Sequence, residues 1–308
     1  MSQSKVHSTL ALSWIGVLVW PLMLALPLLL AYDSSPFVYW KLFPSSWYDY
    51  DSTRSSHWAS PPPLGLCLGI SAVAIGQVFV VLYFYFHSHG YLSYKKIAPP
   101  SIQVKGAPKY EFWEGLTTHL SQPEGFALLV AYLTVTWMFR LLPPSYYSFQ
   151  HGIQWTKLAA CLVLQDLVQY LMHVGEHRIH PSIYIRSHKP HHRFTNPKLF
   201  DAFNGSTFDT IFMILIPLYV TANAVHCNVW TYMAFGSVYA NWLTLIHSEY
   251  AFPWDKYFRK LGFGTPGDHH VHHKLFDYNY GHLFLWWDCI CGTYKNPDHS
   301  PRYFIMTQ

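Results

Sequence analysis

Leu64–His87 reads LGLCLGISAVAIGQVFVVLYFYFH and carries no charged residue. An α-helix rises 1.5 Å per residue, so about 20 apolar residues cross the ~30 Å hydrocarbon core of a bilayer. The stretch therefore reads as a membrane span. Upstream, Leu10–Tyr32 (LALSWIGVLVWPLMLALPLLLAY) is also uncharged. It exceeds the apolar region of a signal peptide and no small-residue cleavage site follows, so it is expected to be a retained helix kinked at Pro21 and Pro27. Downstream, Gly125–Leu142 is a third span with Arg140 near its end, where a long cationic side chain can reach the interface. Gly152–His173 is a fourth; it carries Lys157, Asp166 and Gln169, which call for a protein-facing side. Only PPSYYSFQHG joins the third and fourth, which implies a helical hairpin. Phe208–Val225 and Val229–His247 form a later pair that either spans or enters and returns from one side. Composition agrees: 51% hydrophobic, 19% aromatic and only 12% charged residues, against about 25% charged in soluble domains. That excludes a disordered chain, a fibrous protein and most cytosolic enzymes, and a net charge of +4 is too small for a nucleic-acid partner.

Loop charge sets the expected orientation. The Asp33–Pro63 loop holds Asp33, Asp49 and Asp51 against Lys41 and Arg54, whereas Ser88–Pro123 holds Lys95, Lys96, Lys105 and Lys109 against Glu111 and Glu114. The positive-inside rule puts the second loop in the cytosol. The N-terminus, the end of the fourth span and everything after Tyr250 then share that side. The expected fold is an all-α membrane protein, a transmembrane helical bundle with a cytosolic histidine-rich metal-binding cap. The expected divisions are N-terminal helices over 1–123, a catalytic domain over 124–297 and a tail over 298–308.

Histidine is the compositional outlier, with 20 residues, as many as lysine and arginine together. His173 and His177 stand at i and i+4 and share a helix face. His188, His191 and His192 are spaced i, i+3, i+4, and His269, His272 and His273 repeat that pattern. His247 closes the later hairpin and His282 follows in NYGH. With the topology above, all lie at one membrane face. Neutral imidazole suits iron, zinc and copper, and ten imidazoles exceed the four to six ligands of one ion, so two metals are expected. The remaining histidines, such as His87, His119 and His226, read as polar groups satisfied within the protein. Five cysteines form no CxxC pair and read as inert thiols facing a reducing compartment. HExxH and the paired Glu-x-x-His of soluble di-iron bundles are absent. A histidine-dominated two-metal site at a bilayer surface fits oxygen activation on a lipid, because iron carries redox chemistry and zinc does not. A histidine-rich metal transporter or sensor is the rival class; it calls for ionisable groups midway through several spans, and the first two spans have none.

The stretches DLVQYLMHVGEH, HPSIYIRSHKPHH, LIHSEY and DHHVHHKLFDYNYGHLFLWWDCICGTYKNP together resemble the fatty acid hydroxylase/sterol desaturase superfamily, and look most similar to its sterol C-5 desaturase branch. The resemblance covers about Asp166–Pro297. It implies that His173 and His177, then His188, His191 and His192, then His247, then His269, His272 and His273 ligate two Fe ions. It also implies electrons from NAD(P)H through cytochrome b5 and its reductase, and a multi-pass enzyme of the endoplasmic reticulum membrane with a cytosolic catalytic face. The expected reaction is C-5 desaturation of a sterol; hydroxylation, sterol methyl oxidation and squalene epoxidation within the same superfamily are the alternatives. The chain departs from the pattern in three places. Pro197–Asp209 lacks histidines, Asp268 stands where a histidine is expected, and His282 replaces a glutamine and is a candidate additional ligand. Asp166, Glu176, Asp268 and His270 are candidates for supporting the ligands from behind.

Overall fold

The computed structural model describes residues 63–92, 101–103, 111–121, 124–202, 204–252 and 254–299. The expected helix at Leu10–Tyr32, the acidic loop, the lysines used for orientation and most of the tail lie outside the described residues. Among the described residues the protein is helical, with two isolated β-bridges, Ser101–Tyr250 and Phe263–Phe284.

Helix α1 spans Pro63–Ser88, α2 Phe112–Leu120, α3 Glu124–Met138 and α4 Trp155–Arg178. A short α5, Pro181–Arg186, follows. Helix α6, Thr207–Ala224, contains a π-turn at Ile211–Leu215 just before Pro217. Helix α7 is Val229–Ile246, and α8 (Asp255–Lys260), α9 (Pro266–Leu275) and α10 (Trp286–Cys291) complete the chain. Three of these, α1, α4 and α6, are long and apolar enough to cross a bilayer. Helix α1 is apolar all round and exposes Ile75, Val78, Leu82 and Phe86, as a lipid-facing helix does.

Helix α7 is the axis of the bundle. It has span length, yet nearly every side chain is buried, and its Thr, Tyr, Ser and Asn residues are accommodated because α1 and α4 pack on it. Asn228 pins its start. The side chain accepts from Thr231 N at 3.0 Å and donates to the carbonyls of Gln150, His151 and Gly152 at 2.9–3.0 Å. One residue thus caps α7 and fixes the turn between α3 and α4 against it.

Two element boundaries differ from the sequence reading. The third span ends at Met138 rather than Leu142, because Arg140 turns left-handed (φ 52°) ahead of Pro143 and Pro144. The fourth helix continues past His173 to Arg178, so both His173 and His177 are helical. The segment His188–His192 does not form the expected α-helical face. It is a turn followed by a 3-10 helix at His191–Arg193, since Pro190 has no N–H to continue an α-helix. The second box does lie on an α-helix, α9, which Thr265 and Asp268 open with a capping box ahead of Pro266.

Candidate metal centre

Four elements converge at the C-terminal end of α4. Helix α4 supplies His173 and His177, the turn after α5 supplies His188, His191 and His192, the end of α7 supplies His247, and α9 supplies His269, His272 and His273. The rings sort into two groups whose ligand atoms lie within 4.8 Å of one another: His173, His177, His188, His192 and His272, and His191, His247, His269 and His273. Each HxxHH box is divided between them. Its i and i+4 members join one group and its i+3 member joins the other, so the two boxes cross-link the two groups. All nine rings are buried except His177, which is partly exposed.

The tautomers show that the geometry fits cations. His173 Nδ1 donates to Tyr280 O at 2.7 Å, His272 Nδ1 to Tyr278 O at 2.8 Å, His247 Nδ1 to Leu243 O at 2.7 Å and His273 Nδ1 to Phe194 O at 2.9 Å. A carbonyl only accepts, so each Nδ1 carries the proton and each Nε2 presents a lone pair. His188 Nδ1 lies 2.6 Å from Asp209 Oδ1 and donates there when that carboxyl is ionised. The Nε2 atoms nevertheless face each other: His173–His188 at 2.9 Å, His192–His272 at 3.0 Å, His247–His269 at 2.9 Å and His269–His273 at 3.0 Å. For His173–His188, an ionised Asp209 takes the second proton, and two lone pairs then oppose each other without a hydrogen between them. A cation resolves that repulsion, and ring N–H groups held from behind are the usual dress of ligating histidine.

Charge state agrees. Burial, reinforced by neighbouring imidazoles, holds His188, His192, His247, His269, His272 and His273 well below their ordinary value. Burial takes His191 down to about 3 and His270 to about 4. These rings are neutral at pH 7, as ligation requires. The unfolded chain takes up protons near 6.5 that the native cap refuses, so this stability is complete above pH 6.5 and is lost as pH falls toward 4. At pH 5, His191 and His270 each account for about 2 kcal/mol. Buried carboxylates such as Glu249 and Asp255, raised to about 7 by burial, act in the opposite direction over the same range. The imidazole share is therefore read by comparison: in metal-free protein the drop in melting temperature from pH 7.5 to pH 5 is expected to be smaller in His270→Gln than in wild type, and an identical drop by differential scanning fluorimetry in detergent would refute a neutral, buried His270.

The supporting carbonyls are held by the C-terminal run. Buried Asp288 accepts from Tyr280 N at 2.9 Å, Gly281 N at 2.7 Å and Thr293 Oγ1 at 2.6 Å. Asn279, left-handed at φ 56°, donates to Asp268 O and Lys295 O and accepts from Lys295 N. Together they tie the NYG and TYK segments into a knot that aims the Tyr278 and Tyr280 carbonyls at His272 and His173. Asp288→Ala leaves three buried donors unpaired, each worth about 1–3 kcal/mol. It is expected to lower the thermal midpoint steeply and to weaken metal retention at the first group. A variant with wild-type melting and metal content would show that the knot is dispensable.

The remaining sequence candidates divide. His282 joins neither group but lies between them, with ring centroids 5.0 Å from His173 and 5.2 Å from His269. Glu176 Oε2 lies 3.7 Å from His188 Nδ1, near that ring but beyond hydrogen-bond distance. Asp166 acts at one remove: it accepts from Leu283 N and Phe284 N, the residues that follow His282. Asp268 has another role. It caps α9 through Thr265 and pairs with Arg259 at 3.1 Å. His270 turns away from both groups, its Nδ1 donating to Pro266 O. Asp209, with Glu176 and His188, forms a third close set of candidate ligands; the sequence reading passed over it. A lone acid opening an apolar helix was the available signal, because intramembrane charge is costly without a task.

The fatty acid hydroxylase family model matches residues 158–293, which contain every histidine of both groups. An alternative squalene epoxidase of Phaeodactylum tricornutum (strain CCAP 1055/1) is 62% identical over 296 residues, covering 96% of this chain and 83% of that protein. The chain belongs to the fatty acid hydroxylase/sterol desaturase superfamily. It is thus a membrane-bound oxidoreductase. Two further relatives are more distant. The lathosterol oxidase of Rattus norvegicus is 32% identical over 148 residues, 44% of each chain. The Delta(7)-sterol 5(6)-desaturase of Leptosphaeria maculans is 29% identical over 148 residues, 44% of this chain and 36% of that protein. No solved structure matches.

Proposed function

We propose that this protein is a di-iron monooxygenase that epoxidises squalene or a closely related isoprenoid alkene. One observation carries the reading: two adjacent groups of buried Nε2 lone pairs lie at one end of an apolar bundle, in a chain 62% identical over 96% of its length to an alternative squalene epoxidase. His173, His177, His188, His192 and His272 would hold one iron, and His191, His247, His269 and His273 the other, with His282 placed to join either. Bound iron supplies the one-electron and oxygen chemistry that side chains lack. The chain's own part is to hold ten imidazoles together, four of them in a tautomer fixed by a backbone carbonyl, to exclude water with a buried cap and to present one carbon of an apolar substrate. Overall, the alkene, O₂, two electrons and two protons give an epoxide and water. The electrons would come from NAD(P)H through cytochrome b5 and its reductase, at the cytosolic face of the endoplasmic reticulum membrane.

A second reading, C-5 desaturation of a sterol, draws on the sterol desaturases that match the same half of the chain that holds the histidines. It has less support, since those relatives match under half of the chain. The decisive experiment purifies the protein anaerobically with iron, measures metal per chain, and supplies squalene or a Δ7-sterol with reductant and ¹⁸O₂. Two irons and labelled epoxide are expected. Full activity without metal would end the di-iron reading, and a dehydrogenated sterol without labelled epoxide would replace epoxidation with desaturation. Radiolabelled iron or zinc accumulating inside vesicles would favour transport, but α1 carries no charged side chain to form a pathway.

A further inference from the structure

Helices α1, α2, α3, α4, α6 and α7 enclose a cavity of about 340 Å³ within the apolar bundle, inside the range of small-molecule sites. Its walls are almost wholly hydrocarbon, including Val73, Leu129, Leu133, Leu218 and Leu243. Several polar side chains in the wall spend their hydrogen bonds on groups behind it, and the Tyr232 hydroxyl is the wall group left without a hydrogen-bond partner among the described residues. Gln77 Nε2 donates to Thr244 Oγ1 at 3.3 Å, Gln165 Oε1 accepts from Thr221 Oγ1 at 3.2 Å, and the Tyr239 hydroxyl donates to Asp166 Oδ1 at 3.2 Å and also meets Gln169. A ligand that needs hydrogen bonds would find these partners engaged, whereas a hydrocarbon needs none.

The cavity and the metal centre share a helix. Gln165 lines the cavity and His173 stands eight residues further along α4, about 12 Å at 1.5 Å per residue. Between them lies the Asp166–Tyr239–Gln169 set, and Asp166 also accepts from Leu283 N and Phe284 N beside His282. Two glycines in the wall, Gly69 on α1 and Gly236 on α7, leave open space: a Cβ added at either meets no atom within 4 Å. Neither glycine has a positive φ, so backbone conformation does not demand them. A larger side chain at either position has room to extend into that open space.

We infer that this chamber holds the distal hydrocarbon chain of an isoprenoid substrate while its reacting end lies at the metals, and that Gly69 and Gly236 set the chain length admitted. The inference rests on the epoxidase reading for the identity of the substrate. Two measurements test it. The first is retention of tritiated squalene by purified protein in detergent, which requires no turnover. The second is kcat and KM for squalene and for a C15 polyene with the same isoprenoid terminus. Gly236→Leu and Gly69→Leu are expected to lower squalene retention and to raise its KM at least tenfold, with C15 turnover and metal content within twofold of wild type. Gly236→Ala, which adds one methyl to open space, should behave as wild type and control for folding. Unchanged squalene retention in both leucine variants would overturn the chamber, as would equal losses on both substrates at normal metal content. Absence of metal, or of epoxide, in the wild type with squalene retention still blocked by leucine would sink the epoxidase reading and leave the chamber standing.

Discussion

His272→Ala and His191→Ala are each expected to abolish oxygen-dependent turnover while the chain still inserts in the membrane and folds. The loss should exceed the about 10- to 100-fold that partners behind a ligand are worth, because the ligand itself goes. The two variants probe different groups. His272 belongs to the five-histidine set and His191 to the four-histidine set, so His272→Ala leaves four imidazoles and His191→Ala leaves three. The thinner set should lose its ion more completely. Metal analysis of detergent-purified protein is expected to give close to one iron per chain for His191→Ala, and partial loss for His272→Ala. Neither side chain touches α1, the packing of α4 on α7 or the Asn228 cap, so expression level and detergent elution volume should stay at wild-type values. Activity retained in both variants would remove the ligand assignments. A variant that aggregates would be judged against Asn228→Ala, which attacks the bundle and spares the cap.

The sequence made the bundle and the histidine clustering legible for a simple physical reason. Long uncharged runs and helical i, i+4 spacing are local patterns, and local patterns survive folding. The division of each HxxHH box between two groups was not legible. It depends on Pro190 ending a turn and on α9 approaching from a strand-free loop some 80 residues later, so that His192 meets His272 at 3.0 Å. The span limits erred where a left-handed Arg140 stopped one helix and where polar residues at the end of α4 remained helical. Asp268 looked like a ligand partner because it adjoins a histidine box. In the structure it is the capping acid of α9, and the position before a helical box is where a cap belongs. His270 sits inside that box, yet it points about 100° further round α9, as a residue one step from His269 must.

Asp209→Asn gives the sharpest test of how the two groups differ. Asp209 Oδ1 lies 2.6 Å from His188 Nδ1, and Glu176 Oε2 lies 3.7 Å from the same atom. A carboxylate behind an imidazole strengthens the ring as a donor. In the four-histidine set the backed rings, His247 and His273, rest on the neutral carbonyls of Leu243 and Phe194. With Asp209 ionised, an ion in the first group would meet a more electron-rich ligand than one in the second. Asparagine keeps the shape and an accepting oxygen but removes the charge, so His188 stays in place while its donor strength falls. The expected result is a 10- to 100-fold weaker hold on one ion, with the other retained and turnover reduced in proportion. Titration with a chelator should resolve two classes of iron more widely separated than in wild type, and the iron spectrum should shift for one site alone. Asp268→Asn is the control, because that acid is more deeply buried than Asp209 but bonds Arg259 and Thr265; it should lower the melting temperature and weaken both sites alike. If Asp209→Asn binds both ions as wild type does, the carboxylate is only a fastening between α6 and the histidine turn, and the electronic difference between the two groups must arise from their ligand number.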